Sequence, residues 1–101
     1  MKSAFIKIFR ETPLIKIIDI LIENEMFDLS KTEIADLSGV SRVTLNEIFP
    51  ILLREGVVKK TRKIGRATLY KLNPESLIAK KLVEMDYTLI RQSVPKEKIY
   101  V

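Results

Sequence analysis

The hydrophobic positions along this chain change period several times, and each change marks an element. Residues 2–10 place Phe5, Ile8 and Phe9 on one helical face, with Lys2, Lys7 and Arg10 around it. Thr12 followed by Pro13 predicts a helix start: a capping hydroxyl ahead of a ring already set for the first turn. The next segment, LIKIIDILIE from Leu14 to Glu23, is apolar on nearly every side, and its polar positions Lys16, Asp19 and Glu23 form one narrow stripe. Such a helix is buried almost all round. One small core is expected to leave part of it uncovered, so part of this helix is expected to meet a second subunit. Asp19 and Glu23 read as a solvated stripe rather than a metal or acid–base pair, because no His accompanies them.

Asn24–Leu29 is a connection in which Met26–Leu29 is expected to add a short strand. Ser30-Lys31-Thr32-Glu33 has the pattern of a capping box. It opens a short helix with Ile34, Ala35 and Leu37 inward. Gly39 supplies a turn, Val40 a plug for the core, and Ser41 the cap of a helix from Arg42 to about Glu55, stopped by Gly56. Leu45, Phe49 and Leu52 mark the inward face of that helix. Pro50 sits in its middle, where it removes the hydrogen bond to the Asn46 carbonyl at a cost of about 3 kcal/mol. A kink or local break is expected between Asn46 and Pro50.

The period then falls to two. Val57–Thr61 and Ala67–Leu72 read as strands, rich in β-branched and aromatic residues, with the Tyr70 ring on the core. Arg62-Lys63-Ile64-Gly65-Arg66 is the expected hairpin loop. Asn73-Pro74 resembles the start of a last helix running to about Gln92, with Ile78, Leu82, Met85 and Leu89 on one side. Val94-Pro95 is expected to end it, leaving residues 96–101 as a tail.

These elements make one α+β domain over residues 1–101, mainly α with a small β-hairpin. Residues 12–73 form its centre, residues 1–11 and 74–93 are flanking helices, and residues 94–101 are the tail. Hydrophobic residues are 47% and charged residues 31%, the balance of a folded globular chain rather than a disordered one. The formal net charge is +5, which favours a polyanionic partner without specifying a fold. Cys and His are both absent, which excludes disulfides, thiolate zinc sites and the usual neutral-pH proton shuttle. No nucleophile–base pair or metal-ligand spacing can be assembled, so neither an enzyme nor a cofactor is expected. No run reaches the roughly 18 apolar residues that span a bilayer, and a cytoplasmic address is expected. Abundant Ile, Lys and Glu without Cys suit a thermophile.

With Leu45, Phe49 and Leu52 buried, Arg42, Val43, Thr44, Asn46 and Glu47 fall on the exposed side of the first two helical turns. A helix of this kind enters the major groove and meets base edges with its N-terminal residues. Arg42 suits guanine or a phosphate, and Asn46 suits adenine. Ser41 and Thr44, with the open amides of the helix start, suit phosphate oxygens. Arg42 also opposes the helix macrodipole, which favours a functional reason for its position. The second line of evidence is the hairpin, where Lys59, Lys60, Arg62, Lys63 and Arg66 put five cations within eight residues and no carboxylate among them. Such a cluster repels itself unless an anion is near.

On TEIADLSGVSRVTLNEIFPILLREGVV and KKTRKIGRATLYKL the chain resembles the winged helix-turn-helix transcriptional regulators of archaea and bacteria. The resemblance spans residues 12–73. It implies binding of double-stranded DNA through the second helix of the pair, a basic wing on the neighbouring backbone or minor groove, and homodimerisation through terminal helices. By position, Arg42, Thr44 and Asn46 become candidate readers of bases or phosphates, and Lys63 and Arg66 the wing tip. Phe5, Ile8, Phe9, Ile78, Leu82, Met85 and Leu89 are then the candidate dimer seam. The alternatives are a winged-helix module that docks another protein, or a chromatin or partition protein that coats DNA.

Overall fold

Ser3, Thr12, Ser30 and Ser41 each accept a hydrogen bond from the backbone amide three residues on, and each opens a helix. The computed structural model describes residues 3–93, in the order α1 (Ala4–Phe9), α2 (Pro13–Glu23), β1 (Leu29–Ser30), α3 (Lys31–Ser38), α4 (Arg42–Arg54), β2 (Val58–Ile64), β3 (Ala67–Leu72) and α5 (Leu77–Ser93). Lys2, the helix end at Val94-Pro95 and the tail lie outside the described residues. The capping box is complete: Ser30 Oγ accepts from the Glu33 amide at 3.1 Å, while Glu33 accepts from the Ser30 amide at 2.9 Å. Gly39 closes α3 at φ 75°, a left-handed conformation that glycine adopts without a Cβ penalty.

The sheet is antiparallel in the order β1-β3-β2; the short strand expected over Met26–Leu29 is instead the two residues Leu29-Ser30, paired to the β3 edge of the hairpin. The hairpin is also tighter than expected. β2 runs on through Ile64, and the turn is only Gly65-Arg66, with Gly65 at φ 60° as a II′ turn requires. α5 starts later than Asn73-Pro74 implies. Asn73 instead donates to the Gly56 carbonyl and accepts from the Glu75 amide, which makes a turn; Ser76 then caps the helix.

α2 is the centre of the fold, in contact with α1, α3, α4, α5 and β3. Ile17, Ile18, Leu21 and Ile22 are buried, and Ile15 and Ile20 pack partly against the same core. One chain therefore covers most of this helix, contrary to the expectation that a second subunit was needed; among its leucines and isoleucines only Leu14 stays exposed. Asp19 is buried as well, not solvated, and accepts a 2.9 Å hydrogen bond from Ser3 Oγ. Phe5 belongs to this same core at 1% exposure, which removes it from any subunit seam. Ile34, Ala35 and Val40 face inward, but Leu37 is 54% exposed, at the rim of a groove with Asp19, Ile20 and Ser38.

α4 is continuous from Arg42 to Arg54 with Pro50 inside it, so the expected break does not occur. The physical reason is a balance. Leu45, Phe49 and Leu52 are buried on both sides of the proline, each worth about 2 kcal/mol. Together they outweigh the roughly 3 kcal/mol that proline costs. Pro50 itself lies on the exposed face, so water can serve the carbonyl it leaves unpaired.

Candidate nucleic-acid interface

α3, the start of α4 and the hairpin enclose a cleft of about 280 Å³. Lys31 and Thr32 line it from α3, Arg42 from α4, and Arg66, Thr68 and Tyr70 from the hairpin. Three cations thus converge there, with no carboxylate in the lining. The Arg42 guanidinium donates to Thr32 Oγ1 at 2.8 Å, which turns it back across the helix pair toward the first turn of α3. Lys31 Nζ donates to Asn46 Oδ1 at 3.3 Å and lies 5.5 Å from the Phe49 ring centre and 5.9 Å from that of Tyr70. Those two rings meet edge to face at 4.9 Å, so Tyr70 does pack on the core. An ammonium only donates, so the Asn46 amide oxygen must face Lys31.

Along α4, Arg42, Val43, Asn46 and Glu47 are exposed, as the burial pattern requires, whereas Thr44, expected beside them, is half-buried next to the inward Leu45. Ser41 and Thr44 are partly committed to each other. Ser41 Oγ accepts from the Thr44 amide at 3.2 Å and donates to Thr44 Oγ1 at 3.1 Å.

The five hairpin cations do not act as one group, because the sheet sorts them. Lys60 opposes Tyr70 and Lys63 opposes Thr68, whereas Lys59 opposes Lys71 and Arg62 opposes Leu69. Directly opposed residues share a face of the sheet. Lys60 and Lys63 therefore share the face of Tyr70 and Thr68, which looks onto the cleft, and Lys59 and Arg62 take the other. An irregularity between Lys60 and Arg62 makes this possible by adding one residue to β2. Arg62 is moreover paired: its Nε lies 3.0 Å from Asp28 Oδ2. Hydrogen bonds from Arg62 and Thr61 hold the Asp28 carboxyl below its usual range. The fold itself thus supplies an anion that the hairpin segment lacks.

A family model for the Crp-like helix-turn-helix domain matches residues 7–80. The chain belongs to that family. It is a winged helix-turn-helix family of DNA-binding regulators, and the observed α+β architecture is its fold. Comparisons with curated proteins and with solved structures give no match.

In this Crp-like helix-turn-helix domain the helix pair is α3 and α4, and the wing is β2–β3. Lys31, Thr32 and Asp28 join the site although the sequence reading gave none of them a binding role. Lys31 carried a usable signal: like Arg42, it is a cation at a helix start, against the macrodipole. Asp28 carried none, since only the fold brings it to Arg62. Of the terminal residues, Ile8, Phe9, Ile78 and Met85 are exposed, while Leu82 and Leu89 pack partly against the chain's own core. No helix among the described residues is long and apolar enough to cross a membrane.

Proposed function

We propose that this chain is a cytoplasmic, sequence-specific transcriptional regulator that binds double-stranded DNA as a homodimer. The observation that carries the reading is the cleft in which Lys31, Arg42 and Arg66 meet without a carboxylate. The start of α4 enters the major groove, where Arg42, Val43 and Asn46 meet base edges and Thr44 and Ser41 lie near phosphates. Lys60, Lys63 and Arg66 follow the adjoining backbone or minor groove. Arg62 serves the wing rather than the DNA, and Lys59 adds only to the general positive field. Dimerisation is supported by Ile8, Phe9, Ile78 and Met85, apolar side chains that the core leaves exposed. Two copies of α4 related by a two-fold axis would then lie about 34 Å apart, or a multiple of that, on a palindromic operator.

The test compares duplex binding by wild type, Arg42→Ala and Lys63→Ala/Arg66→Ala across a range of salt. The wing variant is expected to weaken all duplexes alike and to reduce the log–log salt slope by about 1.8 per bound chain. Arg42→Ala is expected to reduce discrimination between duplexes as well. Equal, salt-insensitive binding by all three proteins would refute the reading.

One observation favours a second reading, a module that docks protein. Val43 is 72% exposed at the leading end of α4. A thymine methyl group accommodates such a side chain equally well, so the first reading absorbs it.

A further inference from the structure

The wing owes its useful face to one extra residue. In a regular strand, side chains alternate, so Lys60 and Lys63, three apart, would point to opposite faces. The irregularity between Lys60 and Arg62 puts them on the same one. An extra residue in an antiparallel pair is one register among several, and a slip of one position moves every later side chain to the other face. Something must hold it at Thr61.

That something is a single carboxylate from outside the hairpin. Thr61 Oγ1 donates to Asp28 Oδ2 at 2.6 Å, with the Leu69 carbonyl oxygen 3.2 Å away. Arg62 Nε donates to the same Asp28 oxygen at 3.0 Å, and its Nη2 reaches Oδ1 at 3.4 Å. Asp28 is in turn held in place because the next residues, Leu29 and Ser30, pair with Tyr70 and Leu69. The contact therefore joins the β1 edge to β2 across β3, at the very residues where the register changes.

We propose that Asp28 is a positioning residue of the DNA interface: by holding Thr61 and Arg62 it keeps β2 in the register that puts Lys60 and Lys63 together on the face of Tyr70 and Thr68. The proposal rests on reading the cleft as the DNA surface. It makes a prediction that differs from simple electrostatics. Removing a carboxylate from a basic wing should otherwise strengthen binding to a polyanion. If Asp28 sets the register, removing it adds no contact to that face, because the residues after Thr61 change sides: Lys63 leaves the face of Tyr70 and Thr68, and Arg62 takes its place.

The experiment titrates a labelled mixed-sequence DNA duplex at several salt concentrations with wild type, Asp28→Ala, Asp28→Asn and Thr61→Val. In parallel, NMR cross-strand proximities of Lys60 to Tyr70 and of Arg62 to Leu69 report the register without DNA. Asp28→Ala is expected to keep the Lys60–Tyr70 proximity, to lose that of Arg62 to Leu69 in favour of Arg62 to Thr68, and to leave the salt slope unchanged, since Arg62 replaces Lys63 on that face. Asp28→Asn retains an oxygen that accepts from Thr61, so it keeps the proximities and the slope. Thr61→Val keeps the carboxylate but loses the anchor, and should behave like Asp28→Ala; it decides the matter should Asp28→Ala fail to fold. An unchanged Arg62–Leu69 proximity in Asp28→Ala, or in Thr61→Val, overturns the proposal. Absence of duplex binding by wild type refutes the functional reading instead, while the proximities still decide whether Asp28 sets the register.

Discussion

The Arg42 guanidinium donates to the Thr32 hydroxyl over 2.8 Å, which joins the first residue of α4 to the second residue of α3. The bond is exposed and its acceptor is neutral, so its net worth is about 1 kcal/mol or less. An arginine held this lightly is aimed without being locked, and it can exchange Thr32 for a phosphate or a guanine edge at little cost. Thr32→Val should therefore leave the melting temperature nearly unchanged and leave the salt slope of duplex binding intact. It should narrow the affinity gap between preferred and random duplexes, read by competition.

Lys31 ties the three parts of the interface together through the rings of Phe49 and Tyr70 and the amide of Asn46. Lys31→Met keeps an apolar stem on the rings and removes the charge. Stability should fall by no more than about 1 kcal/mol, the range of a partly exposed cation–π contact. The salt slope should fall by about 0.9, one phosphate contact. A slope equal to that of wild type would take Lys31 out of the interface.

Pro50 interrupts the hydrogen-bond ladder of α4 at an exposed position where no packing requires it. Pro50→Ala restores an amide for the Asn46 carbonyl and should stabilise the domain, by up to about 3 kcal/mol. Chemical denaturation at constant slope measures the gain.

Glu23 and Asp86 carry raised carboxyl pKa values, in each case chiefly through burial and next through the Asp19 charge. Their folded forms hold protons more tightly than the unfolded chain does. The contribution to stability is complete below the ordinary values near 4.5 and 3.8, and is lost as pH rises through the raised folded ones. Glu23→Gln and Asp86→Asn should therefore stabilise the domain at neutral pH and lose that advantage in acid. Asp28 works in the opposite sense. Its lowered pKa lends stability above the ordinary value near 3.8 that disappears as pH falls through the folded one. Denaturant midpoints followed from acid to neutral pH separate the two behaviours.

Arg10 ends α1 at φ 74° and ψ 171°, a region nearly reserved for glycine. Arg10→Gly should relieve about 1 kcal/mol of backbone strain, visible as a higher melting temperature. No gain on melting would mean that the surroundings of Arg10 compensate for its conformation.

Local chemistry was legible from the chain alone. Hydroxyls at Thr12, Ser30 and Ser41 start helices because their own side chains serve amides three residues on, and Gly39 turns the chain because it lacks a Cβ. Leu45, Phe49 and Leu52 repeat with the helical period, which already placed Arg42, Val43, Asn46 and Glu47 on the outside. These are short-range effects, and the helix-turn-helix and wing follow from them. What lay across long separations was decided only by the tertiary structure. That one chain covers most of α2, that Phe5 and Asp19 are interior, and that α4 survives Pro50 all depend on packing partners distant in sequence. The faces taken by the wing lysines depend on one added residue and on Asp28, more than thirty positions away from Arg62. Periodicity reveals which side of an element seeks cover, but the identity of the cover, and the register it enforces, belongs to the assembled fold.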